Sequence, residues 1–164
     1  LSQAPSDTDQ MHDRMALGDV LDEAAAPLKG VGAAILIDLD GADDTPLLRR
    51  RPELIYALGN FVENAVDFAR NEVHLQAGWR DDLITITVSD DGPGFPADIL
   101  SKLGEPYITT RRHEPGPGGL GLGVFIATTL IERLGGQVRF ENRPGRSGAQ
   151  VVMTLPRKGL ALPA

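Results

Sequence analysis

The feature that most constrains the fold of this chain is an alternating apolar segment that ends in an acidic, glycine-rich turn. Apolar residues and threonines alternate from Leu83 to Val88, which predicts a strand with one buried face. An Asp-Asp-Gly-Pro-Gly segment follows at positions 90–94, and its glycines and proline end the strand in a tight turn. A carboxylate at such a turn can accept hydrogen bonds from an amino group, and the glycines let a flat ligand approach the backbone. A simple hairpin turn explains the same five residues, so the interpretation depends on the rest of the chain.

Length and composition limit the class of protein. The 164 residues are 41% hydrophobic, which predicts one domain with a proper core. A net charge of −7 argues against a nucleic-acid surface, but it does not exclude an anionic nucleotide, because backbone N–H groups and Mg²⁺ can neutralise phosphates locally. The absence of cysteine from the sequence excludes disulfides, zinc–thiolate sites and a cysteine nucleophile.

The N-terminus of the chain and the length of its apolar runs indicate where in the cell this part of the protein is expected. No apolar run reaches the ~18 residues needed to span a bilayer, and no signal peptide is visible. The chain starts with Leu1 instead of Met, so we expect a piece of a longer protein. A soluble, cytoplasmic domain is the expectation that fits best.

Periodicity predicts an alternation of helices and strands. Helices are predicted from about Leu17 to Leu28, from Pro52 to about Arg70, over a short segment from Pro96 to Leu103, and from Val124 to Leu134. Strands are predicted at 33–39, 72–79, 83–89, 137–142 and 149–155, with loops at 41–51 and 104–118. A loop as long as the second is often a lid or a binding loop.

One helix carries a polar strip. Asn60, Asn64 and Asp67 are spaced i, i+4, i+7 and share a face, with Glu63 beside them. Asparagine is unfavourable inside a helix, and its amide oxygen suits a hard cation. Ordinary solvent exposure explains the strip as well as a ligand does.

A glycine-rich segment precedes the last long helix. Glycines alternate with leucines from Gly119 to Gly123, so backbone N–H groups and a helix N-terminus together offer an anion site. Positions 116–121 match G-x-G-x-x-G, but no strand precedes them, which argues against a dinucleotide-binding fold. No P-loop motif is present.

Together these segments resemble the ATP-binding catalytic domain of bacterial sensor histidine kinases, in the superfamily that includes gyrase, Hsp90 and MutL. Residues 60–65 resemble the N box of that family, Asp90-x-Gly92-x-Gly94 its first glycine box, 103–111 its F box and 119–123 its second glycine box. The four motifs stand in the family's order, and the match covers about Gly18 to Arg157. The amino-acid sequences of the N and F boxes further resemble those of the RegB/PrrB redox-responsive branch.

The resemblance implies an α/β (α+β) two-layer sandwich of the Bergerat ATP-binding type. About five strands would form a mixed sheet, covered on one face by about three helices. The expected domain limits are a lead-in at 1–16, the ATP-binding domain at 17–157 and a tail at 158–164.

The resemblance also implies roles for single residues, with ATP and Mg²⁺ as cofactors. Asn64 would hold Mg²⁺ beside Asn60, Asp90 would accept from the adenine amino group, and Arg111 would reach the terminal phosphate. Asn60, Asn64 and Arg111 would thus form the catalytic set. The expected nucleotide-binding residues are Asn60, Asn64, Phe68, Asp90, Gly92, Gly94, Tyr107, Thr110, Arg111, Gly119, Leu120, Gly121, Leu122 and Gly123.

The implied activity is transfer of the γ-phosphoryl group of ATP to a histidine on another domain. His12, His74 and His113 all lack the sequence context of the family's acceptor histidine. The implied partners are therefore the dimerisation and phosphoacceptor domain of the same kinase, in a full-length homodimer, and a downstream response regulator. No nucleic acid or membrane contact is expected of this domain, although the full-length protein would be anchored in the bacterial inner membrane.

Departures from the family pattern leave more than one function open. Asp67 stands where Lys or Arg is common, and Tyr107 where Phe is usual. A gyrase-type ATPase would carry a Glu four residues before Asn64, where this chain has Asn60, although Glu63 is one turn away. A protein-serine kinase and a non-catalytic nucleotide-sensing module stay open as well.

Overall fold

A computed structural model describes residues 14–41, 44–103 and 121–160 of the chain. Its strands are β1 (Arg14–Ala16), β2 (Ala34–Gly41), β3 (Leu47–Arg49), β4 (Glu72–Arg80), β5 (Leu83–Asp90), β6 (Gln137–Asn142) and β7 (Ala149–Pro156). Its helices are α1 (Leu17–Ala25), α2 (Pro52–Phe68), α3 (Ala97–Leu100), α4 (Leu122–Arg133) and α5 (Arg157–Leu160), and a 3₁₀ turn (Ala26–Leu28) continues α1. The predicted loop at 104–118 lies outside the described residues.

The main sheet has five strands in the order β2-β4-β5-β7-β6. β2 runs parallel to β4, and every other neighbouring pair is antiparallel. The register sets Val73 of β4 opposite Asp90 at the end of β5. The predicted mixed five-stranded sheet is therefore confirmed, and its register decides which way the acidic turn faces.

The helices cover one face of this sheet. α2 packs between α1 and α4 and also contacts β4 and β5. Its predicted apolar stripe is buried at Leu54, Ala57, Leu58, Phe61, Val62 and Ala65. Alternate residues of β4 and β5 meet these helices, because successive strand side chains point to opposite faces. The two-layer arrangement is thus a direct result of the two periodicities in the sequence.

A second, two-stranded sheet was not predicted. β1 pairs antiparallel with β3, so the predicted loop at 41–51 is wrong at Leu47–Arg49. Leu48 is fully buried, which explains why this short segment is ordered against the core. A strand of three residues is too short to show an alternation, so periodicity could not reveal it.

Helix ends differ from prediction by a few residues. α2 ends at Phe68 instead of Arg70, because Ala69 is already extended at φ −66° and ψ 147°. The short helix predicted from Pro96 to Leu103 is α-helical only at Ala97–Leu100. Among the described residues, no helix is long and apolar enough to cross a bilayer.

Candidate functional site

A cavity lies where α2 and α4 meet the ends of β5, β6 and β7. Its apolar lining comes from Phe61, Ala65, Phe68, Val88, Phe95, Leu103, Val124, Phe140, Ala149 and Val151. Only Asn64 and Asp90 add polar side chains among the described lining residues, so a flat apolar group would meet mostly apolar side chains and few polar ones here.

Asp90 is the buried carboxylate of this cavity, with 3% of its surface exposed. Its Oδ1 accepts hydrogen bonds from the backbone N–H of Gly92 at 2.8 Å and of Ala149 at 3.4 Å. Burial raises the pKa of Asp90, and the charge of Asp91 adds to the rise, although the two N–H groups and Arg143 oppose it. Within the described part of the chain, both hydrogen bonds to this carboxylate end on Oδ1, which leaves Oδ2 as an acceptor for a ligand.

The glycines of the turn are required by space. A Cβ on Gly92 would overlap the carbonyl oxygen of Phe68 at the end of α2. Gly94 has a φ of +87°, in the left-handed region, and a Cβ there would lie 2.8 Å from Asn142 Oδ1. The turn therefore passes so close to α2 and β6 that larger residues would displace Asp90.

The polar strip of α2 lies at the rim of the cavity. Asn60 and Asn64 are half-buried, and Asn64 Nδ2 lies 3.5 Å from Asn60 Oδ1. Gly123, in the first turn of α4, approaches so closely that a Cβ on it would lie 2.5 Å from Asn60 Nδ2. The structure thus brings the asparagine strip and the end of the glycine-rich segment together, although they are about sixty residues apart in sequence.

Some of the other predicted residues are described by the structure, and the rest lie outside the described ranges. Leu122 is 53% exposed beside Gly121, the residue that precedes α4. Tyr107, Thr110, Arg111, Gly119 and Leu120 lie outside the described residues, as do His12 and His113. His74 lies in β4 between the buried Val73 and Leu75, so its side chain points away from the cavity, and its Nε2 lies 3.1 Å from Glu72 Oε2.

Sequence reasoning missed the residues that hold the acidic turn in place. Asn142 Oδ1 accepts from the Phe95 N–H at 2.7 Å, and Asn142 Nδ2 donates to the Phe95 carbonyl at 3.1 Å. Arg143 Nη1 donates to the Asp90 carbonyl at 3.0 Å, and Ser147 Oγ donates to the Gly92 carbonyl. These residues belong to the β6–β7 hairpin, whose sequence indicated only a connection between strands.

Asp91 has a structural role that its neighbour does not share. Its carboxylate accepts hydrogen bonds from the backbone N–H groups of Arg70, Asn71 and Glu72, at 2.7 to 3.2 Å. Desolvation is the largest single influence and acts to raise the pKa of Asp91, but these N–H groups together outweigh it and lower the pKa. Asp91 therefore fixes the chain between the end of α2 and the start of β4.

Replacing this carboxylate should reduce stability mainly above the pH where it ionises. We expect Asp91→Ala to lower the free energy of unfolding by about 2 kcal/mol at neutral pH, because charge-assisted hydrogen bonds to three backbone N–H groups are lost. The folded-state pKa of Asp91 is depressed, so its contribution is complete above the ordinary value and disappears as pH falls through the folded value.

Urea unfolding of both proteins at several pH values measures this effect. The difference between them should be constant near neutrality and shrink below about pH 4. Asp81→Ala, which removes an exposed carboxylate from the β4–β5 turn, is the control. An Asp91 effect no larger than the Asp81 effect would contradict the structural role.

Comparison with known proteins identifies the family. Residues 50–159 match the model for the histidine kinase-, DNA gyrase B- and HSP90-like ATPases, over the segment that contains the cavity. The chain belongs to this ATPase family. The sensor histidine kinase RegB from Cereibacter sphaeroides is 40% identical over 95% of this chain and 38% of that protein. The sensor histidine kinase CpxA from Escherichia coli K12 is 32% identical over 84% of this chain and 30% of that protein.

Solved structures share the fold of this chain. The mycobacterial sensor histidine kinase MprB superposes with a TM-score of 0.68 at 20% identity, covering 87% of this chain and 95% of that one. Full-length ShkA, in complex with AMPPNP, has a TM-score of 0.68 at 26% identity, covering 100% of this chain and 32% of that one. The predicted fold and the resemblance to RegB are confirmed. The chain spans under two fifths of the RegB and CpxA relatives.

Proposed function

We propose that this chain is the part of a two-component sensor histidine kinase that binds Mg-ATP and donates the γ-phosphoryl group. The observation that carries the proposal is a buried carboxylate, Asp90, in an otherwise apolar cavity with the Asn64 amide at its rim. ATP needs an apolar cavity with one hydrogen-bond acceptor for its base, and polar groups beside that cavity for its charged phosphates.

The lining of the cavity suits the adenine base chemically. Aromatic and aliphatic side chains, including Phe68, would cover the faces of the ring. Asp90 Oδ2 would accept from the exocyclic amino group, while Oδ1 stays bound to the backbone. Guanine would present a carbonyl oxygen at this point, and two acceptors would repel each other. Selectivity for adenine therefore follows from one carboxylate oxygen.

The phosphates would lie between Asn64 and the N-terminus of α4. Gly121 and Gly123 stand at the start of α4, where backbone N–H groups would face the phosphates, and Arg111, Tyr107 and Thr110 are proposed to complete the binding from the segment before it.

The polar residues present fit Mg²⁺. The described residues contain no group of three or more His, Cys, Asp or Glu side chains that could hold a metal ion. Asn64 Nδ2 is directed toward Asn60 Oδ1, so the amide oxygen of Asn64 is the atom available to a cation. Mg²⁺ binds ATP through one or two protein oxygens plus phosphates and water, which matches this donor set. When bound, it supplies neutralisation of the charge on the phosphates.

The proposed acceptor is a histidine on the dimerisation and phosphoacceptor domain of the same kinase. We place that domain in the part of the protein that this chain does not span, with a response regulator as the next phosphate acceptor. We further propose that the kinase is anchored in the inner membrane with this domain on the cytoplasmic side, and that redox sensing of the RegB type would reside elsewhere, because this chain has no cysteine.

Removing the Asn64 amide should separate the metal-dependent part of binding from the rest. We expect Asn64→Ala to weaken ATP binding about tenfold in the presence of Mg²⁺ and to leave binding in EDTA unchanged. Calorimetric titration of both proteins, with and without Mg²⁺, measures this. Glu63→Ala is the matched control, since Glu63 is the adjacent, exposed residue of the same helix. Equal weakening in both conditions would contradict a metal-binding role.

Transfer requires a second experiment with the acceptor supplied. The domain is incubated with γ-labelled ATP and the purified phosphoacceptor domain, and the product is tested for stability in acid and in base. Acid-labile, base-stable label on the acceptor supports the proposal. Label that survives acid indicates a serine kinase, release of phosphate without labelling indicates an ATPase, and binding without either reaction indicates a nucleotide-sensing module. Unsubstituted protein that does not bind millimolar ATP would overturn the proposal altogether.

A further inference from the structure

The backbone of Phe95 is held from both sides by a single side chain. Asn142, the last residue of β6, accepts from the Phe95 N–H at 2.7 Å and donates to the Phe95 carbonyl at 3.1 Å. This pairing reproduces with an amide side chain the two-way exchange of hydrogen bonds between opposite residues in an antiparallel sheet. Phe95 itself lies between β5 and α3 and belongs to neither.

This contact determines where the ring of Phe95 lies. Gly94, directly before it, has a φ of +87°, so the chain changes direction at that point and could leave the cavity along other paths. The Phe95 ring lines the cavity and meets Phe140 of β6 edge-to-face, with centroids 6.4 Å apart and planes at 81°. Phe140 in turn meets Phe61 of α2 at 6.0 Å. The aromatic side of the cavity is therefore continuous from α2 to the segment that Asn142 holds.

We propose that Asn142 is a positioning residue for nucleotide binding, which acts by holding Phe95 as one wall of the base cavity. This inference rests on the proposed function of the cavity. Asn142 does not line the cavity, so its effect on the ligand passes through Phe95. The neighbouring contacts from Arg143 and Ser147 to the carbonyls of Asp90 and Gly92 hold the rest of the same turn.

Two consequences distinguish positioning from general support of the fold. Loss of Asn142 weakens nucleotide binding, but it leaves the rate at saturating ATP unchanged, because the phosphate end of the site is not touched. The KM for ATP therefore rises while kcat stays constant. In a protein without the Phe95 ring, loss of Asn142 has no further effect on nucleotide affinity, because the group through which it acts is gone.

A double-mutant cycle tests both consequences. ATP binding is measured by calorimetry for the unsubstituted protein, Asn142→Ala, Phe95→Ala and the double variant, and each is checked for complete folding at the titration temperature. Asn142→Ala alone is expected to raise the Kd for ATP about tenfold, and to change it less than twofold when Phe95 is already alanine. With the acceptor domain supplied, KM rises by the same factor and kcat does not change.

Two further variants serve as a control and as a substitute for Asn142→Ala. Gln150→Ala removes a 3.0 Å hydrogen bond to Glu141 within the same hairpin, away from the cavity, and should leave the Kd for ATP unchanged. Asn142→Asp keeps an acceptor for the Phe95 N–H but loses the donor, and it replaces Asn142→Ala if that variant does not fold. Its Kd should lie between those of the unsubstituted protein and the alanine variant.

Other outcomes would overturn the inference. An unchanged Kd in Asn142→Ala, or an equal effect in the presence and absence of the Phe95 ring, would show that Asn142 only supports the fold. These results would leave the proposed function intact, because the unsubstituted protein would still bind ATP. Absence of ATP binding by the unsubstituted protein would overturn both.

Discussion

Gly148→Ala should destabilise the domain by about 3 kcal/mol or more, and it should abolish nucleotide binding with it. Gly148 has a φ of +129°, a region that residues with a side chain rarely adopt. A Cβ at this position would overlap the carbonyl oxygen of Asp90 and lie 2.8 Å from Arg143 Cδ. Relief of the overlap requires a shift of the Asp90 backbone, and this shift also moves the carboxylate in the cavity.

The same hairpin provides a control that separates backbone strain at positive φ from steric overlap of the added Cβ. Gly145 has a φ of +71°, but a Cβ there would meet nothing within 4 Å. Gly145→Ala should therefore show only the backbone penalty of about 1 kcal/mol, with unchanged ATP affinity. Urea unfolding and calorimetric titration of both variants measure the two effects. Equal loss of stability in the two variants would contradict the close packing of the hairpin against Asp90.

The elements of the fold were predictable because the patterns that define them are local. The alternation of β4 and β5 and the apolar stripe of α2 are complete within 8 to 17 residues each. The pairing of β1 with β3 was not predictable, because it joins two short segments more than thirty residues apart. A local pattern cannot show which distant segment of the chain pairs with a short strand.

The site was predictable in part for the same reason. Asp90, Asn60 and Asn64 stand in motifs that a single sequence reveals, and the structure brings them to one cavity and its rim. The family motif assigns the ligand role to Asp90, but nothing in the sequence predicts that Asp91 accepts from the backbone N–H groups of residues 70–72. Pairing of Val73 with Asp90 turns one carboxylate inward and leaves its neighbour near the start of β4. The contacts of Asn142 span 47 residues and carry no local pattern.

Asp90→Asn should change the base preference of the site as well as its affinity. The amide has the shape of the carboxylate, and its oxygen can keep the hydrogen bonds from Gly92 and Ala149. The amide nitrogen then faces the cavity and opposes the amino group of adenine, donor against donor. We expect the Kd for ATP to rise about a hundredfold, while GTP, whose base offers a carbonyl oxygen, binds at least as well as to the unsubstituted protein.

Measurement over a range of pH tests whether the ionised carboxylate is the group that reads the base. Burial raises the pKa of Asp90, so the unsubstituted protein should lose ATP affinity as pH falls through that raised value, when the acceptor becomes a donor. The affinity of Asp90→Asn has no such group to titrate and should stay flat over the same interval. Asp91→Asn, with the same charge change one residue away, should keep the preference for ATP over GTP at neutral pH. If ATP affinity in Asp90→Asn equals that of the unsubstituted protein and follows the same pH dependence, Asp90 does not contact the base.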